Sequence, residues 1–266
     1  MDDKIGIRLI GTAKQTLKMH RTSKNPFIRL GISILYTLSK PITEVKRFLI
    51  DKNFRSIILM RLLNSKNVHQ TTSLTYMNRY PTIFSACRDF FEGKQDIKIL
   101  SYGCSTGEEV LTLRHYFPHA KIVGADVNKS SLAICKKLSV DNNISFVYSN
   151  PNELEKHGPF DVIFCMAVLQ RQPHYIAEKG ITSLKKIYPF EKFEKQIIGL
   201  DHLLNSQGLL VIHYTQYSLL DTVIASKYEP LGNYNQDDYN SPIFDKNSNI
   251  RENTKQQNTI YIKSGR

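Results

Sequence analysis

The run Tyr102-Gly103-Cys104-Ser105-Thr106-Gly107-Glu108-Glu109 gathers residue types that bind small ligands. Gly103 and Gly107 let the backbone turn and approach a ligand closely, and Ser105 supplies a hydroxyl between them. Before this run, Ile97-Lys98-Ile99-Leu100-Ser101 is patterned as a buried strand. After it, Val110, Leu111, Leu113 and Phe117 give the apolar face of a helix. Strand, glycine turn and helix together form the nucleotide-binding corner of doubly wound α/β folds. A second strand, Lys121-Ile122-Val123-Gly124-Ala125, ends in Asp126, an acidic residue suited to accept hydrogen bonds from ribose hydroxyls.

Glu108 and Glu109 narrow the ligand. A helix N-terminus that holds a pyrophosphate should not carry two further negative charges, because its N–H groups and dipole serve the phosphate. The pair favours a ligand with positive charge and no phosphate. S-adenosylmethionine fits, with an adenosine, a sulfonium and an ammonium. The plainer alternative stays open: two glutamates in a first helical turn complement the dipole without touching any ligand.

The elements that must position these residues alternate along the chain. A helix carries Leu132, Ile134 and Leu138; a third strand is Ile144-Ser145-Phe146-Val147-Tyr148; a fourth, Phe160-Asp161-Val162-Ile163-Phe164-Cys165, follows Gly158-Pro159. A helix over about 190–204 leads through Gly208 into a fifth strand, Leu209–His213, and Thr259–Lys263 closes the chain as a last strand. Alternating strands and helices imply a parallel sheet covered on both faces. The Asn-, Asp- and Tyr-rich stretch between Leu219 and Ser248 is expected to be mainly loop or hairpin.

Over about residues 72–263 the sequence resembles the class I S-adenosylmethionine-dependent methyltransferases, and within them the chemotaxis-receptor (CheR-type) enzymes. Ser105-Thr106-Gly107-Glu108-Glu109 matches that family's Ser-Thr-Gly-Glu-Glu signature, and Phe160–Cys165 matches its fourth strand. Thr75 and Arg79 align more loosely with a Thr and Arg ahead of strand one. The resemblance implies a doubly wound, Rossmann-like α/β sheet, mostly parallel with an antiparallel last strand, behind an N-terminal helical cap. It implies S-adenosylmethionine held by Thr75, Arg79, Gly103, Ser105, Gly107, Glu108, Glu109, Asp126, Asn150 and Met166. Asp126 would take the ribose, Asn150 the adenine, and Arg79 with Glu108 or Glu109 the methionine end. Where the family continues Phe-Cys with Arg-Asn, this chain has Met166-Ala167, so the substrate half departs from the pattern.

For catalysis, His174 and Tyr175 follow strand four while His213 and Tyr214 end strand five, at the sheet edge where an acceptor enters. Each also suits a surface or packing role. A protein carboxylate, or a small-molecule or glycan hydroxyl or carboxylate, remains open as acceptor. The long segment from Gln170 to Pro189 is expected to form a substrate-selecting lid. A rival reading takes Gly103-x-Ser105-x-Gly107 as a hydrolase nucleophile elbow, with Asp161 or Asp201 and His202 or His213 completing a triad. Glutamates beside such an elbow would oppose its oxyanion. A third reading is a non-catalytic cofactor-binding scaffold.

Charge divides the chain. Residues 1–95 carry 17 Lys and Arg against 6 Asp and Glu, so nearly all of the net +12 sits in the first third. Helical stretches at Ile28–Leu38, Thr43–Leu49 and Phe54–Leu63 make this a basic cap over residues 1–95, ahead of a catalytic domain over 96–266. The cap suits an acidic partner or an anionic membrane surface; nucleic acid is less favoured, and a simply solvated face is the ordinary alternative. No apolar run reaches the ~18–20 residues of a spanning helix. Arg8, Lys14 and Lys18 break any secretory pattern. Cys87, Cys104, Cys135 and Cys165 form no Cys-x-x-Cys pair, so no metal is expected, and a reduced cytoplasmic setting, with peripheral membrane contact as an addition, fits.

Overall fold

The computed structural model describes residues 42–63, 68–72, 74–236, 239, 241–252 and 257–265. The chain forms two compact units, Met1–Arg55 and Ser56–Arg266. In the first, residues 42–50 are helical, and Asp51 caps the start of α1 (Lys52–Leu63), within which the division falls, by accepting the Phe54 N–H at 2.9 Å. The expected helix Ile28–Leu38 lies outside the described residues.

The second unit is built on β1 (Lys98–Tyr102), β2 (Lys121–Asp126), β3 (Ile144–Tyr148), β4 (Phe160–Met166), β5 (Leu204–His213), β6 (Tyr228–Pro230) and β7 (Ile260–Lys263). They form one sheet in the order β3-β2-β1-β4-β5-β7-β6. β1 to β5 run parallel, and β7 is antiparallel to both β5 and β6. The expected sheet, with its antiparallel last strand, is the one observed. β6 emerges from the stretch expected to be mainly loop or hairpin.

Side chains on the central strands alternate between two cores, as period-2 geometry requires. Leu100, Ile163, Cys165, Leu210 and Ile212 face one side, against Leu154 of α5 (Pro151–His157), Ile176 of α6 (Pro173–Glu178) and the stripe Phe190, Phe193, Ile197 and Leu200 of α7 (Phe190–Leu203). Ile99, Ile122, Val162, Phe164, Leu209 and Val211 face the other. There they meet α2 (Pro81–Phe90), α3 (Glu108–Tyr116) and α4 (Lys129–Cys135) through Phe84, Val110, Leu113 and Leu132.

One strand boundary differs from expectation, and the sheet's core draws on a helix ahead of it. α2 lies inside the stretch 1–95, yet its buried Ile83, Phe84 and Cys87 belong to the sheet's own core, and the compact unit begins at Ser56. β5 begins at Leu204 rather than Leu209, with a register shift opposite Phe160/Val162. Gly208 permits it: a Cβ there would meet the Asp161 and Asn205 carbonyl oxygens at 2.8 Å. The Gln170–Pro189 segment is anchored rather than free, because Ile176, Leu184 and Tyr188 are core residues and Leu184 N–H donates to Ser248 O at 2.8 Å.

Candidate active site

Three adjacent strands end at one cleft, and each hands over to a loop residue of positive φ: Ser105 (50°) after β1, Ala167 (57°) after β4 and Tyr214 (56°) after β5. Non-glycine residues held in that region carry strain, which concentrates at binding sites. β1 lies between β2 and β4, the switch point of the sheet, where ligands of such folds bind. The cleft there has a volume of about 350 Å³, enough for a small-molecule ligand.

The β1–α3 turn forms its floor. Gly103 and Cys104 N–H groups donate to Ala125 O at 2.7 and 3.0 Å, which ties the turn to β2. Gly107 caps α3 at φ 103°, and a Cβ there would meet Leu138 Cδ1 at 2.7 Å. A Cβ on Gly103 would run into Val168. Asp126 spans the floor: its Oδ2 accepts the Ser105 N–H at 2.8 Å and its Oδ1 the Asn128 N–H at 2.6 Å. Burial pushes the Asp126 carboxyl up, while the amides of Asn128, Ser105 and Val127 pull it back.

Glu109 lines the same cleft, and Ser101 Oγ donates to its Oε1 at 2.7 Å. Burial pushes its carboxyl up to about 7, opposed by the Ser101 hydroxyl and the Arg79 charge. Arg79 lies over the Tyr80 and Tyr76 rings at 5.1 and 5.6 Å and donates to Leu74 O at 2.8 Å. An aromatic wall closes the other side, with Tyr214 stacked between His213 (4.1 Å) and Tyr239 (5.2 Å). Tyr80 Oη, Ser105 Oγ and Gln170 Oε1 are buried in the cleft lining without a hydrogen-bond partner among the described residues. Unpaired buried polar atoms are costly, so their gathering in one cleft marks a place where a polar ligand completes the bonding. Two carboxylates, these unpaired atoms and apolar Val127, Met166 and Val168 suit a cationic, hydroxyl-bearing and partly apolar ligand.

A family model described as a methyltransferase domain matches residues 93–259. The chain belongs to the methyltransferase domain family. Among curated proteins, it is 29% identical over 96 residues to a malonyl-[acyl-carrier protein] O-methyltransferase of Priestia megaterium, covering 35% of this chain and 32% of that one. It is 29% identical over 94 residues to an uncharacterized protein of Rickettsia prowazekii, covering 34% and 38%. The chain thus spans about a third of the length of these curated relatives. Among solved structures, the plantazolicin methyltransferase BpumL, determined in complex with SAH, is similar with a TM-score of 0.37 and 15% identity over 68% of this chain and 60% of that one.

Of the residues singled out from sequence, Thr75, Arg79, Gly103, Ser105, Glu109, Asp126, Met166, His174 and Tyr214 all line the cleft. The other residues singled out from sequence stand elsewhere. Gly107 shapes the turn from beneath, and Glu108 accepts from Thr106 Oγ1 at 2.7 Å. Asn150 Oδ1 caps α5 by accepting the Glu153 N–H at 3.0 Å, while neighbouring Ser149 lines the cleft. The sequence Asn150-Pro151-Asn152-Glu153 carried that capping signal. His213 is buried, its Nδ1 3.0 Å from Thr259 Oγ1, and Tyr175 is exposed beside a side branch of the cleft.

Residues missed from sequence are His69, Gln70, Tyr76, Tyr80, Gln170 and Tyr239. Tyr76 and Tyr80 stand close to Arg79 in the sequence, a signal that was available; Tyr239 sits in a loop without one. The hydrolase triad does not assemble. Asp161 is tied to Lys94 Nζ and the Lys98 N–H, both at 2.8 Å, near the opposite end of β4. Asp201 is tied to Lys227 and Lys263 at 2.8 and 3.1 Å.

Proposed function

We propose that this chain transfers a methyl group from S-adenosylmethionine to an oxygen acceptor, a protein carboxylate or a hydroxyl or carboxylate of a small molecule or glycan. One observation carries the reading. The Ser105 N–H, which a phosphate-binding turn would offer its ligand, is already given to Asp126 at 2.8 Å. A phosphate would have to displace that carboxylate and then face Glu109. A cationic, phosphate-free nucleoside meets no such conflict.

The cofactor supplies an activated methyl group on a positive sulfonium. Asp126 and Ser105 take the ribose hydroxyls, Glu109 the ammonium, and Arg79 the carboxylate. Val127 and Ser149 flank the adenine. The aromatic wall of Tyr80 and Tyr214 keeps water from the methyl group and holds the acceptor in line. A carboxylate acceptor is ionised at neutral pH and needs no base, whereas a hydroxyl would give its proton to a cleft residue such as His174. Oxygen as acceptor accords with the relative named as an O-methyltransferase.

The CheR-like character belongs to the cofactor half alone, because the strand-four end reads Cys165-Met166-Ala167. The basic N-terminal third serves as a docking face for an acidic partner or anionic membrane surface. No described helix is long and apolar enough to cross a membrane.

Radiolabelled S-adenosylmethionine tests the reaction, with the full chain offered carboxylate, hydroxyl, amine and acidic-carbon acceptors separately and the products treated with mild base. Base-labile volatile label indicates a methyl ester, and base-stable label on a hydroxyl acceptor indicates an ether. Transfer exclusively to nitrogen or carbon acceptors would refute the oxygen-acceptor reading.

A further inference from the structure

The cleft has two electrical ends. Glu109 and Asp126 stand at one of them. At the other, the cleft passes His174 into a side branch of about 240 Å³, lined by Gln70, Thr71, Thr72, Arg171 and Tyr175 among others, with no carboxylate in the lining.

Arg171 is built into that branch. Its N–H donates to Gln216 Oε1 at 2.8 Å and its carbonyl accepts from Gln216 Nε2 at 3.2 Å. Gln216 is fully buried and donates in turn to Ser241 Oγ at 3.0 Å. The guanidinium is half-buried, and Nη1 donates only a long bond to His69 O at 3.4 Å. No carboxylate pairs with Arg171 among the described residues. Like charges reach it from Arg61, whose Nη2 donates at 2.8 Å to Oγ1 of the lining residue Thr71, and from Lys192. His69 adds no charge: burial, then the charges of Lys192 and Arg171, push its imidazole down to about 3. Drawing a guanidinium part-way out of water near other cations is unfavourable, and an anion beside it reverses the sign.

From this geometry we infer that the acceptor carries an anionic group, a carboxylate or a phosphate, which Arg171 holds in the side branch while its nucleophilic oxygen reaches the main cleft. The guanidinium fork matches either anion. The role as acceptor anchor rests on the methyl-transfer reading; the anion site itself does not.

The test titrates the full chain calorimetrically, with and without saturating S-adenosylhomocysteine, using inorganic phosphate, malonate and neutral malonamide. Phosphate or malonate binds the wild-type chain, and binding weakens at least tenfold in Arg171→Gln. Arg171→Lys, which keeps the charge but loses the fork, retains part of it. Malonamide gives no heat. Tighter phosphate assigns a phosphate-bearing acceptor, and tighter malonate a carboxylate-bearing one. S-adenosylhomocysteine affinity within twofold of wild type shows that both variants are folded. Equal anion affinity in wild type and Arg171→Gln, or malonamide matching malonate, overturns the inference. Anion binding without S-adenosylhomocysteine binding would sink the methyl-transfer reading and the anchor role together, leaving only an anion site.

Discussion

Glu109 is where the site's chemistry can be read as a titration. Its carboxyl is raised to about 7, chiefly by burial, so near neutrality it is only partly ionised. A ligand's ammonium needs the ionised form. Affinity for S-adenosylhomocysteine is therefore expected to rise between pH 6 and pH 8 and then level off, with a limiting slope of about tenfold per unit well below the pKa. Glu109→Gln should flatten that profile and weaken binding at pH 8; an unchanged profile would remove Glu109 from the ammonium site. The same shift has the opposite sign for the ligand-free fold. A carboxyl raised above its unfolded value favours folding fully below the unfolded pKa, 4.5, and loses that contribution as pH rises through about 7. Melting curves of the ligand-free chain at pH 5 and pH 8 should show a decline that Glu109→Gln reduces.

The β1–α3 turn and the α5 cap make separable predictions at the level of elements. Gly107 combines φ 103° with Leu138 2.7 Å from where a Cβ would sit. Gly107→Ala should cost about 1–3 kcal/mol in urea unfolding and weaken the cofactor through the displaced turn. Asn150→Ala should cost about 1 kcal/mol as a lost cap and leave S-adenosylhomocysteine affinity within twofold. A large loss of affinity there would restore Asn150 to the adenine site. The turn was legible because strand, glycines and acidic pair are contiguous. The capping role of Asn150 was equally local, carried by Pro151 and Glu153 beside it. Which glutamate faces the ligand was not legible, because it depends on how the turn rotates α3. Ser101 and Thr106 settle that rotation by bonding Glu109 and Glu108 respectively.

Across the whole molecule, the parallel sheet was readable from sequence because its strands are buried on both faces and appear as apolar runs between helices. Three parts were not. β6 is a three-residue edge strand whose pairing with β7 is long-range. The extent of the compact unit was hidden by composition: charge separates residues 1–95 from the rest, yet α2 lies among them and packs by its apolar face. The aromatic wall joins Tyr80, Tyr214 and Tyr239 from distant segments, and only the fold brings them together. The proposed function places a phosphate-free nucleoside on Asp126. The most direct test is calorimetric titration of the wild-type chain and Asp126→Ala with S-adenosylmethionine and S-adenosylhomocysteine. Both ligands should bind the wild type, and the variant should lose about 2–3 kcal/mol, the worth of charged hydrogen bonds to the ribose. A folded wild-type chain that binds neither ligand, or a variant that binds both unchanged, would contradict the account.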